Sequence, residues 1–441
     1  MQLSSIQSYS TVAETALSEA AVMNVLAGML RHPDLACMAL VSRQVLTGAI
    51  APIWGVLPSS LPLLKLLPGL TLKQGKWCIP YVITEPDRRR FDFYAPFIRQ
   101  IVCLLEDGSR KIDVTIFYNL AASMMGHILP NLQTLGLPHT LFPSAFPRVP
   151  FFSPSLTTVH AVLPSYAYFL LAAFNGLPNC PLSPVDYLER LADQCPRLQS
   201  LSLTGDIPRN CISYLLPMQN LCSLELDFCL QRPTVRLHRL LLRIPDFPNL
   251  STLILLLPPK YKVRPLPART LQSICRIEVE GDIEPLVTIL ASTYHLKDAI
   301  IRSHSAAMGG WKKCMGMVVR TSASTLETLT VHAECRIHFG WVFNYLYKAP
   351  HIKNLDISAP CIHISDDDIR AVVTTWPHLE QFITPLQANS STSLTLRSID
   401  NLEDLSSLRF LQLQLATHGI VWSSSAHHSL ASVVDHLFGL N

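Results

Sequence analysis

From residue 129 onward one short phrase keeps returning: apolar, two residues, apolar, one residue, apolar. It reads LPNLQTLGL, SPSLTTVHA, CPRLQSLSL, MQNLCSLEL, FPNLSTLIL, ASTLETLTV, APHIKNLDI and LSSLRFLQL. The first apolar positions are Leu132, Leu156, Leu198, Leu221, Leu250, Leu326, Ile352 and Leu408, with weaker copies at Leu296 and Leu379. The alternation that closes each copy predicts a short strand with one face inward. A proline often stands two residues before the first leucine, where it stops a preceding helix.

Between copies the period changes. Ile283, Leu286, Val287 and Leu290 fall at i, i+3, i+4 and i+7, as do Val342, Tyr345, Leu346 and Ala349, and Ile369, Val372, Val373 and Trp376. That spacing predicts helices with one apolar stripe. Each unit therefore reads strand, turn, helix, loop, and cannot bury its apolar face without a stacked neighbour. Steps of 23 (198 to 221), 29 (221 to 250), 26 (326 to 352) and 27 (352 to 379) match a leucine-rich repeat of roughly 20 to 29 residues. Two intervals, 156 to 198 and 250 to 296, are longer, and the second holds LQSICRIEV as an imperfect extra turn. A doubly wound set of βαβ units is the rival arrangement, and the repeated phrase favours the solenoid.

Upstream, Val22, Val25, Leu26 and Met29 form a helical stripe that closes at Leu30. Pro33 breaks it at His32, and Asp34 is expected to cap a new helix carrying Leu35, Met38, Ser42 and Leu46 on one side. The segment GAIAPIW is expected to turn the chain again. Three short helices in about 50 residues enclose a small core, so such a module leans on a partner or a neighbouring domain.

The residues MLRHPDLACMALVSRQVLTGAIAPIW resemble an F-box, through Pro33-Asp34-Leu35, Ala39-Leu40-Val41, Arg43 and Trp54. The continuation LPSSLPLLKLLPG and EPDRRRFDFYAPFIRQI resembles the connector of F-box proteins abundant in mushroom-forming fungi, in which a leucine-rich solenoid follows. The family's opening Leu-Pro is missing, and the matching place reads TALSEAAV. An apolar stripe still supplies most of the binding, since each buried anchor is worth roughly 1.5 to 3 kcal/mol.

The expected architecture is α/β: an F-box-like helical module at 15–60, a connector at 61–97, and a leucine-rich-repeat solenoid of strand-turn-helix units at 98–441 with a C-terminal capping helix. The resemblance implies the substrate-recognition subunit of a Skp–cullin–F-box ubiquitin ligase. Leu26, Leu30, Pro33, Leu35, Leu40, Val41, Leu46 and Trp54 would bind the Skp adaptor, and through it a cullin, while the solenoid holds a target protein. The alternative from the residues alone is an interaction scaffold whose N-terminal helices only cap the repeat array.

Composition narrows the field. Hydrophobic residues make up 49% and charged residues 15%, so most of the chain must be buried. A formal net charge of +3 gives no field that argues for nucleic acid or an anionic membrane as partner. Arg88-Arg89-Arg90, between Asp87 and Asp92, reads as a solvated turn. Apolar runs such as YAYFLLAAF and LSTLILLLPP are too short to span a bilayer, and residues 1–30 lack the basic start of a signal peptide. The twelve cysteines are scattered without metal spacing, which fits buried thiols in a reducing intracellular compartment, cytoplasm or nucleus.

No hydrolase, nucleotide-binding or metalloprotease motif is present, so no catalytic residue, metal or cofactor is expected. A hydrolase on an unrecognised α/β fold is the weaker third reading. Ser365 with Asp366-Asp367-Asp368 reads as a helix cap rather than a metal cluster. In the tail, His427, His428, Asp435 and His436 share a segment with the apolar stripe Leu430, Val433, Val434 and Leu437, as solvated residues of a capping helix would.

Overall fold

The computed structural model describes residues 22, 25–26, 29–40, 43–107, 110–124, 127–137, 149–163, 183–208, 211–228, 237–304, 308–385, 394, 398, 401–402, 405–414 and 419–423. The predicted C-terminal helix and its histidines, the start of the module at 15–21, Val41 and Ser42 lie outside the described residues. The chain forms two compact units, Met1–Asp206 and Ile207–Asn441.

The first unit opens with helices α1 (His32–Ala39) and α2 (Arg43–Gly55). A ladder of five strands follows: β1 (Val56–Ser59), β2 (Gln100–Cys103), β3 (Thr134–Leu137), β4 (Thr158–Leu163) and β5 (Ser200–Gly205). Each pairs in parallel with the next in chain order. Its helices include α3 (Glu85–Tyr94), α4 (Thr115–Ser123) and α5 (Pro184–Gln194).

The second unit carries β6 (Ser223–Asp227), β7 (Thr252–Leu256), β8 (Arg276–Glu280), β9 (Asp298–Ser303), β10 (Thr328–Ala333), β11 (Asn354–Ser358), β12 (Gln381–Ile383) and β13 (Phe410–Gln414). These pair in parallel in chain order, and β14 (Gly419–Ser423) closes the run antiparallel to β13. Helices α6 (Ile283–Leu290), α7 (Met308–Ser322), α8 (Phe339–Phe343) and α9 (Asp366–Thr375) lie between strands. A doubly wound sheet reverses strand order at a switch point. Within each unit the described parallel strands show no reversal, so each is α/β with one strand per repeat, compatible with a repeat solenoid.

The recurring phrase explains the ladder residue by residue. Its three apolar positions become three inward rows. In the second unit the middle row runs Leu224, Leu253, Ile277, Ala299, Leu329, Leu355, Phe382 and Leu411, all buried and in register. The residue after the first apolar position accepts two successive N–H groups of the next copy on one carbonyl. Ser251 serves Cys275 and Arg276, and Lys297 serves Glu327 and Thr328 in the same way. The residue before it reaches back to the previous copy: Asn131 to the Pro96 carbonyl (2.8 Å), Ser155 to Leu132 (2.9 Å), Asn249 to Gln219 (2.9 Å) and Thr325 to Leu296 (2.8 Å).

LQSICRIEV is a true repeat, giving β8 with Ile274, Ile277 and Val279 buried. The ladder also starts earlier than residue 98. Val56–Ser59 is already its first strand, so residues 61–97 lie between two paired strands rather than outside the array. That stretch holds a hairpin, Thr71–Lys73 with Lys76–Cys78, turning on Gln74 and Gly75. Both have positive φ (52° and 75°), as a two-residue turn matched to strand twist requires. The three arginines sit on α3 and not in a turn. Thr84 and Asp87 form a capping box at its start, and Arg88 pairs with Asp92 one turn on (3.0 Å).

Candidate functional site

Two surfaces present chemistry of their own, one in each unit. In the first unit, α1 and α2 pack over a small core of Leu35, Ala39 and Ala49, with Leu26, Leu30, Leu46 and Ile53 laid against it. Helix α1 begins at His32, with Pro33 in its first turn, so Asp34 is not the cap. A proline is favoured there because its missing N–H is one of the orphan donors, which moves the boundary ahead of the proline. Asp34 instead accepts from Arg31 Nε at 3.1 Å. The predicted turn at GAIAPIW is also absent, since α2 continues through Pro52 to Gly55. Beyond it, Trp54 stacks on Tyr94 of α3 at 4.4 Å between ring centroids.

Seven of the eight candidate adaptor contacts fall on described residues, and they divide by environment. Leu35 is 1% exposed, and Leu26, Leu30 and Leu46 pack against it, so these four build the module's interior. Trp54 is half-buried in its stack, and Pro33 is exposed. Leu40 is 86% exposed. Two further apolar side chains on the preceding helical segment face solvent: Val25 at 64% and Met29 at 78%. They are four apart and share a helix face. The apolar stripe read from the sequence thus splits into an inward pair, Leu26 and Leu30, and an outward pair, Val25 and Met29.

In the second unit, alternate strand residues face away from the core and are part-exposed. Strand register lines up Glu225, Ile254, Glu278, Ile300, Thr330, Asp356, Ile383 and Gln412 in one row. The next row holds Asp227, Leu256, Glu280, Arg302, His332 and Ser358. Arg302 pairs with Glu278 across the adjacent strand. His304 lies between two carboxylates, with Nδ1 2.9 Å from Glu334 and Nε2 3.4 Å from Glu280. Only the imidazolium donates from both nitrogens, so the site favours the charged ring. The hydrogen bond to Glu334 raises the His304 pKa and outweighs the opposing desolvation. Burial raises the Asp356 carboxyl, partly countered by His332.

Other chemistry is muted. The Cys195 and Cys211 thiols are pushed up to about 12 by burial, which leaves them poor nucleophiles. Among the described residues no group of His, Cys, Asp or Glu is placed to hold a metal ion, and no helix is long and apolar enough to cross a membrane. Ser365 caps α9 reciprocally with Asp368, which explains the acidic triplet.

No family model and no curated protein matches the chain. Among solved structures, the Rad7 and Elc1 complex from yeast aligns at 12% identity over 88% of this chain and 94% of that chain, with a TM-score of 0.33. Function is therefore read from the chain's own residues.

Proposed function

We propose that the chain is the substrate-recognition subunit of a Skp–cullin–F-box ubiquitin ligase. The observation that carries this reading is the set of exposed apolar side chains, Val25, Met29 and Leu40, on a helical module whose buried core is only a few residues wide. Large apolar groups left in water on a module with a small core suit a partner surface. The F-box-like residues of that module, Pro33-Asp34-Leu35 and Ala39-Leu40-Val41, name the Skp adaptor as the partner, and a cullin joins through it.

The outward face of the β6–β13 ladder would hold the target. One of its rows alternates carboxylates with isoleucines from Glu225 to Ile300, which suits a target segment that mixes basic and apolar side chains. The chain itself transfers nothing. Its contribution is to hold the target close to a transferring partner, so neither a catalytic residue nor a cofactor is required of it.

The test is a titration of the full chain with purified Skp adaptor. Saturable one-to-one binding at micromolar concentration or tighter supports the ligase role. A folded chain that does not bind would leave an interaction scaffold capped by its N-terminal helices.

A further inference from the structure

Helix α7 carries three cations that line a cavity with no carboxylate in its lining. A cavity of about 650 Å³ is lined by Lys312, Lys313 and Arg320 from α7 and by Tyr345 and Lys348 from the segment after α8. Its volume falls in the range of small-molecule sites. None of the ion pairs among the described residues involves these four cations. The Lys312 ammonium lies over the Trp341 ring, 4.8 Å from its centroid.

The glycines of α7 separate structural need from vacancy. A side chain at Gly310 would strike Ile283 at 2.5 Å, so packing demands that glycine. Gly309 and Gly316 both line the cavity, and packing demands neither. A Cβ at Gly309 meets nothing within 4 Å, and one at Gly316 meets only the Tyr345 ring at 3.8 Å, an ordinary contact. Each glycine inside a helix costs roughly 0.5 to 1 kcal/mol relative to alanine. Their effect is to keep the space between the cations open.

We propose that this cavity binds a small phosphate-bearing anion, independently of any ligase role. Four positive charges call for a ligand with several negative charges, which a di- or triphosphate supplies and a single carboxylate does not. Arg320 offers the planar fork that meets phosphate oxygens in pairs, while the lysines act as point charges. Met317 and Tyr345 leave an apolar wall for the carbon skeleton of an organic phosphate.

The test is calorimetric titration of the full chain with pyrophosphate, ATP and adenosine. Pyrophosphate and ATP should bind saturably at one site and compete, with affinity falling as salt rises. Adenosine should not bind. Arg320→Gln with Lys313→Gln, both exposed, should weaken ATP by at least about tenfold, the loss of charge-assisted contacts, without lowering Tm. Gly316→Leu fills the cavity and should abolish binding in a chain that still melts cooperatively. The proposal is overturned if neither phosphate ligand binds, if adenosine binds as well as ATP, or if the double variant keeps wild-type affinity.

Discussion

The helices of residues 22–55 and the strands of residues 223–414 use the same apolar amino acids to opposite ends. In the strand ladder every copy of the phrase but the one at Leu379, which ends on Thr384, places three apolar side chains into continuous inward rows, and the middle row is fully buried from Leu224 to Leu411. In the helical module, among the described residues, Leu35, Ala39, Ala49 and Ile50 are buried, while Leu40, Met29 and Val25 remain in water. Each ladder strand is covered by its neighbours, so the array supplies its own burial. The module leaves apolar side chains outside its core, and the proposed adaptor would cover them.

The comparison can be broken most sharply in the ladder. Leu329→Ala removes a fully buried side chain from the middle row and should cost about 2 to 5 kcal/mol, read as a large fall in denaturant midpoint. A change below about 1 kcal/mol would mean the rows are not close-packed. Leu35→Asp should unfold the module locally, exposing its amides to exchange while the ladder strands stay protected. Leu40→Asp is the counterpart. At 86% exposure it should move stability by less than about 0.5 kcal/mol while removing adaptor binding.

Smaller effects sharpen the same contrast. Ser365→Ala deletes the cap of α9 and should cost about 1 kcal/mol without altering the binding of any partner to the module. The smallest involves His304. Its folded pKa is raised, so its contribution to stability is complete below the unfolded value of 6.5 and is lost as pH rises through the folded value. The ring is half-exposed, which keeps the contribution under about 1 kcal/mol after solvent screening. His304→Gln should flatten the stability profile just above pH 6.5, and an unchanged slope would show that the bridge to Glu280 and Glu334 is absent in solution.

Much of the ladder is legible in the sequence because one physical requirement repeats. Every copy of the phrase that falls on described residues is a strand, and the helices at 283–290 and 366–375 follow the apolar spacing. One copy escapes notice yet carries the same mark: in APFIRQIVC, Pro96 stands two residues before Ile98, and Ile98 and Ile101 are both buried. The strand at Val56–Ser59 lacks that mark and is identified only by its pairing with Gln100–Cys103.

The candidate docking surface is less legible. The sequence groups Leu26, Leu30, Leu35 and Leu46 with Leu40, because periodicity reports which residues are apolar and not which neighbour takes them. Asp34 and Pro52 mislead for a related reason. A proline in a first turn replaces an N–H that has no partner there, as Pro33 does, whereas α2 simply continues through Pro52 to Gly55. The carboxylate and isoleucine row on the ladder's outward face emerges only once register is known, since its members lie 20 or more residues apart in the chain.

Amide hydrogen exchange of the full chain, with and without purified Skp adaptor, tests the central claim most directly. New protection confined to residues 22–55, with the strands of residues 223–414 unchanged, is the predicted result. Protection that appears in the ladder instead, or none at saturating adaptor, would contradict the assignment of the helical module as the adaptor-docking surface.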